Sequence, residues 1–174
     1  MSDISTRIVV AGANGFVGKN LRNFLYENKL SVLAISRKNF HKHQSEVKVV
    51  SPNLSDPKLQ SKLKNYDALI NLIGIGRQTP KSTFEEINLN LTKSVIKTCK
   101  NVGIKKIIFI SGLGVSKSNT SDYFASKYKA EQEIINSGLD YTIFRASYIM
   151  GKTDHSTKAL SKQMKNGVIV IPGS

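Results

Sequence analysis

Three glycines, Gly12, Gly15 and Gly18, stand between a short apolar run at 7–11 and an amphipathic stretch at 19–27. The apolar run is rich in β-branched residues, which favour a strand, and the stretch after it has helical spacing. A strand that turns into a helix over glycines at this spacing is typical of dinucleotide binding. The first glycine permits a tight turn, the second admits the pyrophosphate and the third lets the helix pack closely. The alternative is a plain glycine-rich turn.

Strands and helices are expected to alternate along the rest of the chain. The predicted strands are 7–11, 31–35, 47–50, 68–73, 105–110, 141–145 and 168–171. The predicted helices are 19–27, a short helix that begins at Pro57, 83–101, 123–138 and 159–165. Alternation at this spacing predicts an α/β fold with a doubly wound parallel sheet and helices on both faces. The length of 174 residues suits one domain over 1–174.

Composition excludes several classes of protein. The single cysteine, Cys99, excludes a disulfide framework and a cysteine metal cluster. His41 and His43 have no carboxylate or thiol at metal-site spacing, so no metal site is expected. The chain has no apolar run long enough to span a membrane, and its first residues lack the pattern of a secretory signal. We therefore expect a cytoplasmic protein.

The net charge of +14 is unusually high for a chain of this length. Such a field attracts polyanions, including nucleic acid and membrane surfaces. The lysines are scattered through every segment and form no long basic run. We therefore expect a lysine-rich solvated surface and no specific nucleic-acid partner, and the same field favours a phosphate-bearing cofactor.

The end of the second predicted strand bears on which cofactor is bound. NAD-binding folds usually place an acidic residue there to accept hydrogen bonds from the ribose hydroxyls. Here the strand runs into Ser36, Arg37 and Lys38. Arg37 can pair with a 2′-phosphate, helped by Lys38 and by the hydroxyl of Ser36. The sequence therefore favours NADP over NAD, although an Arg37 that stacks on the adenine would suit either.

A tyrosine and a lysine lie four residues apart, at Tyr123 and Lys127, which places them on one face of a predicted helix. A nearby ammonium favours the phenolate, which brings the phenol closer to a useful pKa. Ser111 ends the preceding strand, where ligands of open α/β sheets bind. Tyr148 and Lys152 have the same spacing, but they span Gly151 in a loop. The alternative for Tyr123 and Lys127 is a surface pair on a helix.

Together, the glycine turn, Asn88, Ser111 and the Tyr123–Lys127 pair resemble the extended or atypical short-chain dehydrogenase/reductases, a superfamily that includes the NAD-dependent epimerase/dehydratase proteins. The segments 67–74 and 83–88 are most similar to the subgroup related to the nucleotide-binding accessory subunit of respiratory complex I. The resemblance covers about residues 7–173 and implies a Rossmann fold.

The resemblance also implies roles for individual residues. The pyrophosphate would be held by Gly12, Asn14, Gly15, Phe16, Val17 and Gly18. The rest of the cofactor would meet Ser36, Arg37, Lys38, Asn53, Leu54, Leu72, Ile73, Gly74, Ala146 and Ser147. Tyr123 would be the catalytic acid/base, and Lys127 would bind the nicotinamide ribose and lower the pKa of the tyrosine. Ser111 would orient the substrate, and Asn88 would support the hydrogen bonds of the site.

Two readings of function follow. The first is an NAD(P)-dependent oxidoreductase or a nucleotide-sugar epimerase/dehydratase-like enzyme that uses Ser111, Tyr123 and Lys127. The second is a non-catalytic NAD(P)H-binding module, acting as a redox sensor or an assembly subunit. The resemblance implies relatives that continue into a C-terminal substrate region. We therefore expect this region to be largely absent here, because the chain is either a fragment or a protein with little substrate pocket of its own, and the substrate stays open. The sequence also leaves the oligomeric state open, and a homodimer is compatible with it.

Overall fold

The computed structural model describes residues 6–166, and its centre is one parallel sheet. The six strands are β1 (Arg7–Ala11), β2 (Ser31–Ser36), β3 (Val47–Val50), β4 (Ala68–Asn71), β5 (Lys106–Gly112) and β6 (Asp140–Ala146). Their order across the sheet is β3-β2-β1-β4-β5-β6, with every neighbouring pair parallel. The predicted doubly wound parallel fold is confirmed. The predicted strand at 168–171 lies outside the described residues.

Within residues 6–166, five α-helices and one π-helical segment accompany the strands, and the last helix follows the last strand. The helical elements are α1 (Phe16–Glu27), α2 (Pro57–Leu63), the π-helical segment (Glu85–Asn90), α3 (Leu91–Val102), α4 (Asp122–Ile135) and α5 (His155–Lys165). None of those helices, all within residues 6–166, is long and apolar enough to cross a bilayer.

The two faces of the sheet bury different helices. On β1, Val9 and Ala11 belong to a large apolar cluster that includes side chains of α2, α3 and α4. Val10 points to the other face and joins a smaller cluster that includes Leu25 of α1. Because both faces are covered, the inner strands are apolar throughout rather than alternating.

The predicted helix at 83–101 is not a single α-helix. Its first part, the π-helical segment, has a wider turn, and α3 follows it directly. The wider turn changes which side chains face inward, so that Asn88, Leu89 and Thr92 are buried. Apolar spacing alone does not reveal this change, because the same apolar residues fit an ordinary α-helix equally well. π-Helical turns are rare, and they are often found at functional sites.

The glycine turn brings α1 unusually close to β1. Gly12 has φ +86°, and a Cβ there would lie 2.9 Å from the carbonyl carbon of Leu72. A Cβ at Gly18 would lie 2.4 Å from the carbonyl oxygen of Gly12 and 2.9 Å from the carbonyl carbon of Ala13. These neighbours are backbone atoms, which cannot rotate away, so both positions require glycine.

We expect Gly18→Ala to lower the free energy of unfolding by about 2 kcal/mol or more, because the added methyl overlaps backbone atoms. Urea denaturation followed by circular dichroism measures the change. Gly76→Ala is the matched control, since a Cβ at Gly76 meets no atom within 4 Å. The control is expected to change stability by less than about 0.5 kcal/mol. Equal effects of the two substitutions would contradict the close approach described for Gly18.

Candidate functional site

A groove of about 340 Å³ lies at the carboxyl edge of the sheet. It is formed where β1, β2 and β4 end, beside the point at which the strand order reverses. Open α/β sheets bind their ligands at such a point. The predicted residues that line the groove are Gly12, Asn14, Gly15, Ser36, Arg37, Lys38, Leu54, Leu72, Ile73 and Gly74.

The groove also has lining residues that the sequence did not single out. They are Ile35, Ser51, Pro52, Ile75, Ile87 and Leu91. Ile87 and Leu91 lie in the predicted helix at 83–101 and have the four-residue spacing of an apolar stripe, which is the ordinary pattern of a core helix. Ile87 and Leu91 line the groove because of where the π-helical segment places them, and the sequence alone does not predict this position.

The amino end of α1 can receive an anion. The amides of Gly12 and Ala13 donate to the carbonyl of Ile35, at 3.1 and 2.9 Å, and this fixes the turn against β2. Gly15 is the N-cap, with no side-chain hydrogen bond to the cap and no acidic residue in the first turn within this described helix. The first amides of the helix therefore carry uncompensated partial positive charge, which suits a pyrophosphate.

Two cations stand at the end of the groove where β2 finishes. Arg37 and Lys38 are both exposed and line the groove, and none of the described lining residues is acidic. The hydroxyl oxygen of Ser36 accepts a hydrogen bond from the amide of Lys38 at 3.3 Å, which bends the chain at this point. This end of the groove therefore has the charge that a phosphate on the adenosine ribose requires.

The chain after β3 closes the same end of the groove. Ser51, Pro52 and Leu54 line it, whereas Asn53 does not. The side-chain oxygen of Asn53 instead accepts a hydrogen bond from the amide of Ser55 at 2.9 Å. The structure thus places Asn53 beside the groove, with its side chain engaged in a turn.

A second, smaller pocket of about 200 Å³ adjoins the groove and contains Tyr123 and Lys127. It shares Leu72, Ile73, Gly74 and Ile75 with the groove, and its other lining residues are Val17, Gly76 and Ile110. A Cβ placed on Gly74 would lie 3.3 Å from Nζ of Lys127, so the ammonium lies directly beside the wall that both cavities share.

The ammonium of Lys127 is held by a backbone carbonyl and an aromatic ring of β5. Its Nζ donates to the carbonyl of Ile110 at 2.9 Å and lies 4.6 Å from the ring centre of Phe109. Burial lowers the pKa of Lys127 to about 8, and the nearby carboxylate of Glu131 acts in the opposite direction. Glu131 is itself buried and paired with Arg145 through two hydrogen bonds of 3.1 and 2.7 Å.

Tyr123 is half-buried between aromatic rings. Its ring packs edge-on against Phe84 and Phe124, with centroid distances of 5.6 and 5.1 Å. Burial raises the pKa of the Tyr123 phenol. The resemblance implies a pKa lowered by Lys127, whereas the structure gives a raised pKa, whose cause is the loss of solvation on burial.

Ser111 has a buried hydroxyl at the end of β5. Among the described residues its Oγ makes no hydrogen bond, although it is shielded from solvent. The next residue, Gly112, lies close to the Tyr123 hydroxyl. A Cβ placed on Gly112 would be 3.6 Å from the oxygen of that hydroxyl. A buried hydroxyl without a partner costs free energy, and such groups are frequent where a ligand supplies the missing partner.

Asn88 joins the elements around the pocket. Its Oδ1 accepts a hydrogen bond from the amide of Ile75 at 2.9 Å, and its Nδ2 donates to the carbonyl of Ile75 and to Oγ of Ser126. Ser126 in turn donates to the carbonyl of Tyr123 at 2.7 Å. Asn88 therefore ties the loop after β4 to the helix that carries Tyr123 and Lys127.

The remaining predicted cofactor residues are not among those that line the groove. Phe16 packs against Gly151, where a Cβ would meet its ring at 2.6 Å, and Gly18 lies beneath the turn. Ala146 ends β6 opposite Gly112, and Ser147 is exposed.

The second tyrosine–lysine pair does not form a comparable pocket. Tyr148 is 87% exposed, and it lines none of the cavities described for residues 6–166. In the same part of the chain, no three His, Cys, Asp or Glu side chains are grouped so that they could hold a metal ion.

Comparison with known proteins agrees with this geometry. A model of the family described as NAD(P)H-binding matches residues 12–169, which is most of the chain. The uncharacterized sugar epimerase YhfK of Bacillus subtilis is 27% identical over 174 residues, covering 94% of this chain and 81% of that protein. Subunit 9 of the 1 alpha subcomplex of mitochondrial NADH dehydrogenase [ubiquinone] from Arabidopsis thaliana is 29% identical over 155 residues, covering 83% and 39%.

A solved structure gives the same picture for the fold. The UDP-glucuronic acid 4-epimerase of Bacillus cereus, determined in complex with NAD, superimposes with a TM-score of 0.76 at 20% sequence identity. The alignment covers 94% of this chain and 63% of that enzyme, so the chain spans less than two thirds of its length. Together with the groove, these findings support a nicotinamide dinucleotide as the cofactor. The chain belongs to the NAD(P)H-binding family.

Proposed function

We propose that the protein is an NAD(P)-dependent oxidoreductase or nucleotide-sugar epimerase/dehydratase-like enzyme that uses Ser111, Tyr123 and Lys127. The observation that carries this proposal is the wall of residues 72–75, which the dinucleotide groove shares with the pocket of Tyr123 and Lys127. A nicotinamide ring that reached along this wall would meet the phenol and the ammonium. When bound, the dinucleotide supplies a carbon that accepts or donates a hydride.

The charge of the groove supports binding of the rest of the cofactor. The amides that open α1 would bind the pyrophosphate, and the absence of acidic side chains from the described lining avoids repulsion. Arg37 and Lys38 would bind a 2′-phosphate on the adenosine ribose, which favours NADP over NAD. Ser51, Pro52 and Leu54 would pack against the adenine.

Tyr123 would move the proton that accompanies hydride transfer. Oxidation of a substrate carbinol breaks its C–H bond to release the hydride, and the hydroxyl proton passes to the phenolate oxygen of Tyr123, which becomes a neutral phenol. Reduction of the resulting carbonyl reverses both transfers. Because burial raises the pKa of this phenol, the neutral form is favoured, and the neutral form is the proton donor needed for reduction.

Lys127 would act on both the cofactor and Tyr123. Its pKa of about 8 leaves the ammonium largely protonated at neutral pH, so it can donate to the ribose hydroxyls next to the nicotinamide. The same charge would stabilise the phenolate form of Tyr123, which must exist before Tyr123 can accept the proton of the substrate hydroxyl. Ser111 would donate its unpartnered hydroxyl to the substrate oxygen and hold it near the Tyr123 hydroxyl.

The comparisons support a sugar as the substrate class. One relative is called a sugar epimerase, and one similar structure is a UDP-glucuronic acid 4-epimerase. The similarity to a complex I subunit is the main support for a non-catalytic module instead. A pocket beside the groove that is lined by Tyr123 and Lys127 favours catalysis, because a module that only binds the dinucleotide has no need of it.

We expect Tyr123→Phe to lower turnover by about 100-fold or more, since general acid–base catalysis contributes on this scale. The probes are UDP-glucose and UDP-glucuronic acid. Epimerised product would be followed by NMR and oxidation by cofactor absorbance. The NADPH Kd is expected to change by less than about threefold, because the ring is retained.

The matched control for that experiment is Tyr148→Phe, which removes the hydroxyl of the exposed tyrosine in the second pair. It should leave turnover unchanged. Full turnover by Tyr123→Phe would contradict the proposed chemistry. A wild-type protein that binds NADPH but turns over neither sugar nucleotide would favour the non-catalytic module.

We expect NADPH affinity to fall as the pH rises through about 8, because Lys127 then loses the charge that would face the cofactor. The pKa of this buried lysine is lowered, so its positive charge is complete below that pH and is lost above it. Titration of NADPH fluorescence between pH 6.5 and 9.5 measures the effect. In Lys127→Arg the guanidinium stays charged, and the decrease should disappear. The same decrease in both proteins would show that another group is responsible.

We expect NADPH to raise the melting temperature more than NADH at equal concentration, because tighter binding to the native state stabilises it more. Arg37→Ala should weaken NADPH binding by about tenfold and leave NADH binding within about twofold. Arg7→Ala, at the opposite end of β1, is the matched control for loss of an exposed arginine. Stronger stabilisation by NADH in the wild type would contradict the assignment of Arg37.

A further inference from the structure

A buried ion pair joins α1 to the segment that precedes β3. Arg22 and Glu46 are each 3% exposed. Nε of Arg22 donates to Oε1 of Glu46 at 2.8 Å, and Nη2 donates to Oε2 at 2.6 Å. This is the two-pronged geometry in which an arginine binds a carboxylate most strongly.

The same guanidinium reaches two further parts of the chain. Nη1 donates to the carbonyl of Ala13 in the glycine turn at 3.2 Å, and Nη2 donates to the carbonyl of His41 at 2.8 Å. Its planar face lies 4.6 Å from the ring centre of Phe40. Arg22 therefore contacts both the pyrophosphate turn and the connection that begins at Arg37.

That connection, residues 37–46, contains no helix or strand. Parallel strands are usually joined by a helix that packs on the sheet and fixes the crossover. Here side-chain contacts hold it instead. Oε2 of Glu46 accepts the amide of His43 at 2.9 Å, the His43 ring stacks on Tyr26 at 4.7 Å, and Phe40 is buried against α1.

Burying two charges costs free energy, so stability alone does not explain the ion pair between Arg22 and Glu46. Apolar side chains of similar volume often replace a buried ion pair with no loss of stability, or with a gain. An arginine that binds a carboxylate and two carbonyls in one plane, however, sets the position of the chain more narrowly than apolar packing does. The segment positioned in this way leads directly to Arg37 and Lys38, which line the groove.

We infer that Arg22 and Glu46 are positioning residues that hold the 37–46 connection against the glycine turn, so that Arg37 is directed at the adenosine phosphate and NADPH is distinguished from NADH. This inference rests on the proposed contact between Arg37 and a 2′-phosphate. Neither Arg22 nor Glu46 lines the groove, so any effect on the cofactor must pass through the connection or through the glycine turn that Arg22 also contacts.

The test compares Kd values for NADPH and NADH by isothermal titration calorimetry. Arg22→Lys keeps the charge but loses the planar fork, and we expect it to weaken NADPH binding about five- to tenfold with NADH unchanged within about twofold. The double variant Arg22→Met/Glu46→Leu should show the same selective loss. Thermal unfolding by circular dichroism verifies that each variant is folded.

Two further proteins make the test specific. The double variant Lys93→Met/Glu133→Leu removes an exposed ion pair of 3.3 Å between α3 and α4, and it should change neither Kd. In an Arg37→Ala background, Arg22→Lys should have no further effect on NADPH, because the positioned side chain is gone.

The inference is wrong if the Arg22 variants weaken both cofactors by the same factor. It is also wrong if Arg22→Lys still weakens NADPH binding after Arg37 has been removed, since the pair would then act on the fold or on the glycine turn alone. If Arg37→Ala itself leaves the NADPH Kd unchanged, the proposed phosphate contact is wrong, and the inference fails with it.

Discussion

The close approach of α1 to the end of β1 determines much of what surrounds it. With no side chain at Gly18, the helix lies against the carbonyl of Gly12, and its first amides open onto the groove. The same approach brings Arg22, one turn further along the helix, within reach of the Ala13 carbonyl. Phosphate recognition at one end of the helix and the anchoring of the 37–46 connection therefore share a single geometric requirement.

Much of the fold could be predicted because its signals are local. The glycine spacing, the apolar strands and the glycine at position 103, which ends α3 with φ +83°, each act over a few residues. The π-helical segment could not be predicted, since the apolar residues at 84–96 fit an α-helix equally well. Nor could the pairing of Arg22 with Glu46, because charges 24 residues apart have no periodic signal that links them.

The candidate site shows a similar division. The glycine turn, Arg37 and the Tyr123–Lys127 spacing indicated the carboxyl edge of the sheet, where the groove lies, because parallel strands bring their carboxyl ends together. The electrostatics could not be inferred from spacing. Burial favours the neutral form of both Tyr123 and Lys127, and the extent of burial depends on packing against rings such as Phe84 and Phe109. Spacing places two groups together, but it does not show how much water they keep.

The π-helical turn has a consequence for how this chain tolerates changes in length. Each residue of an α-helix turns the chain by about 100°, so deletion of one residue within Glu85–Asn90 would restore an ordinary helical turn and rotate Asn88 away from the loop that it holds. Related sequences that keep the asparagine should therefore also keep the number of residues in the segment Glu85–Asn90. An alignment gap in this short interval would identify relatives whose pocket is built differently.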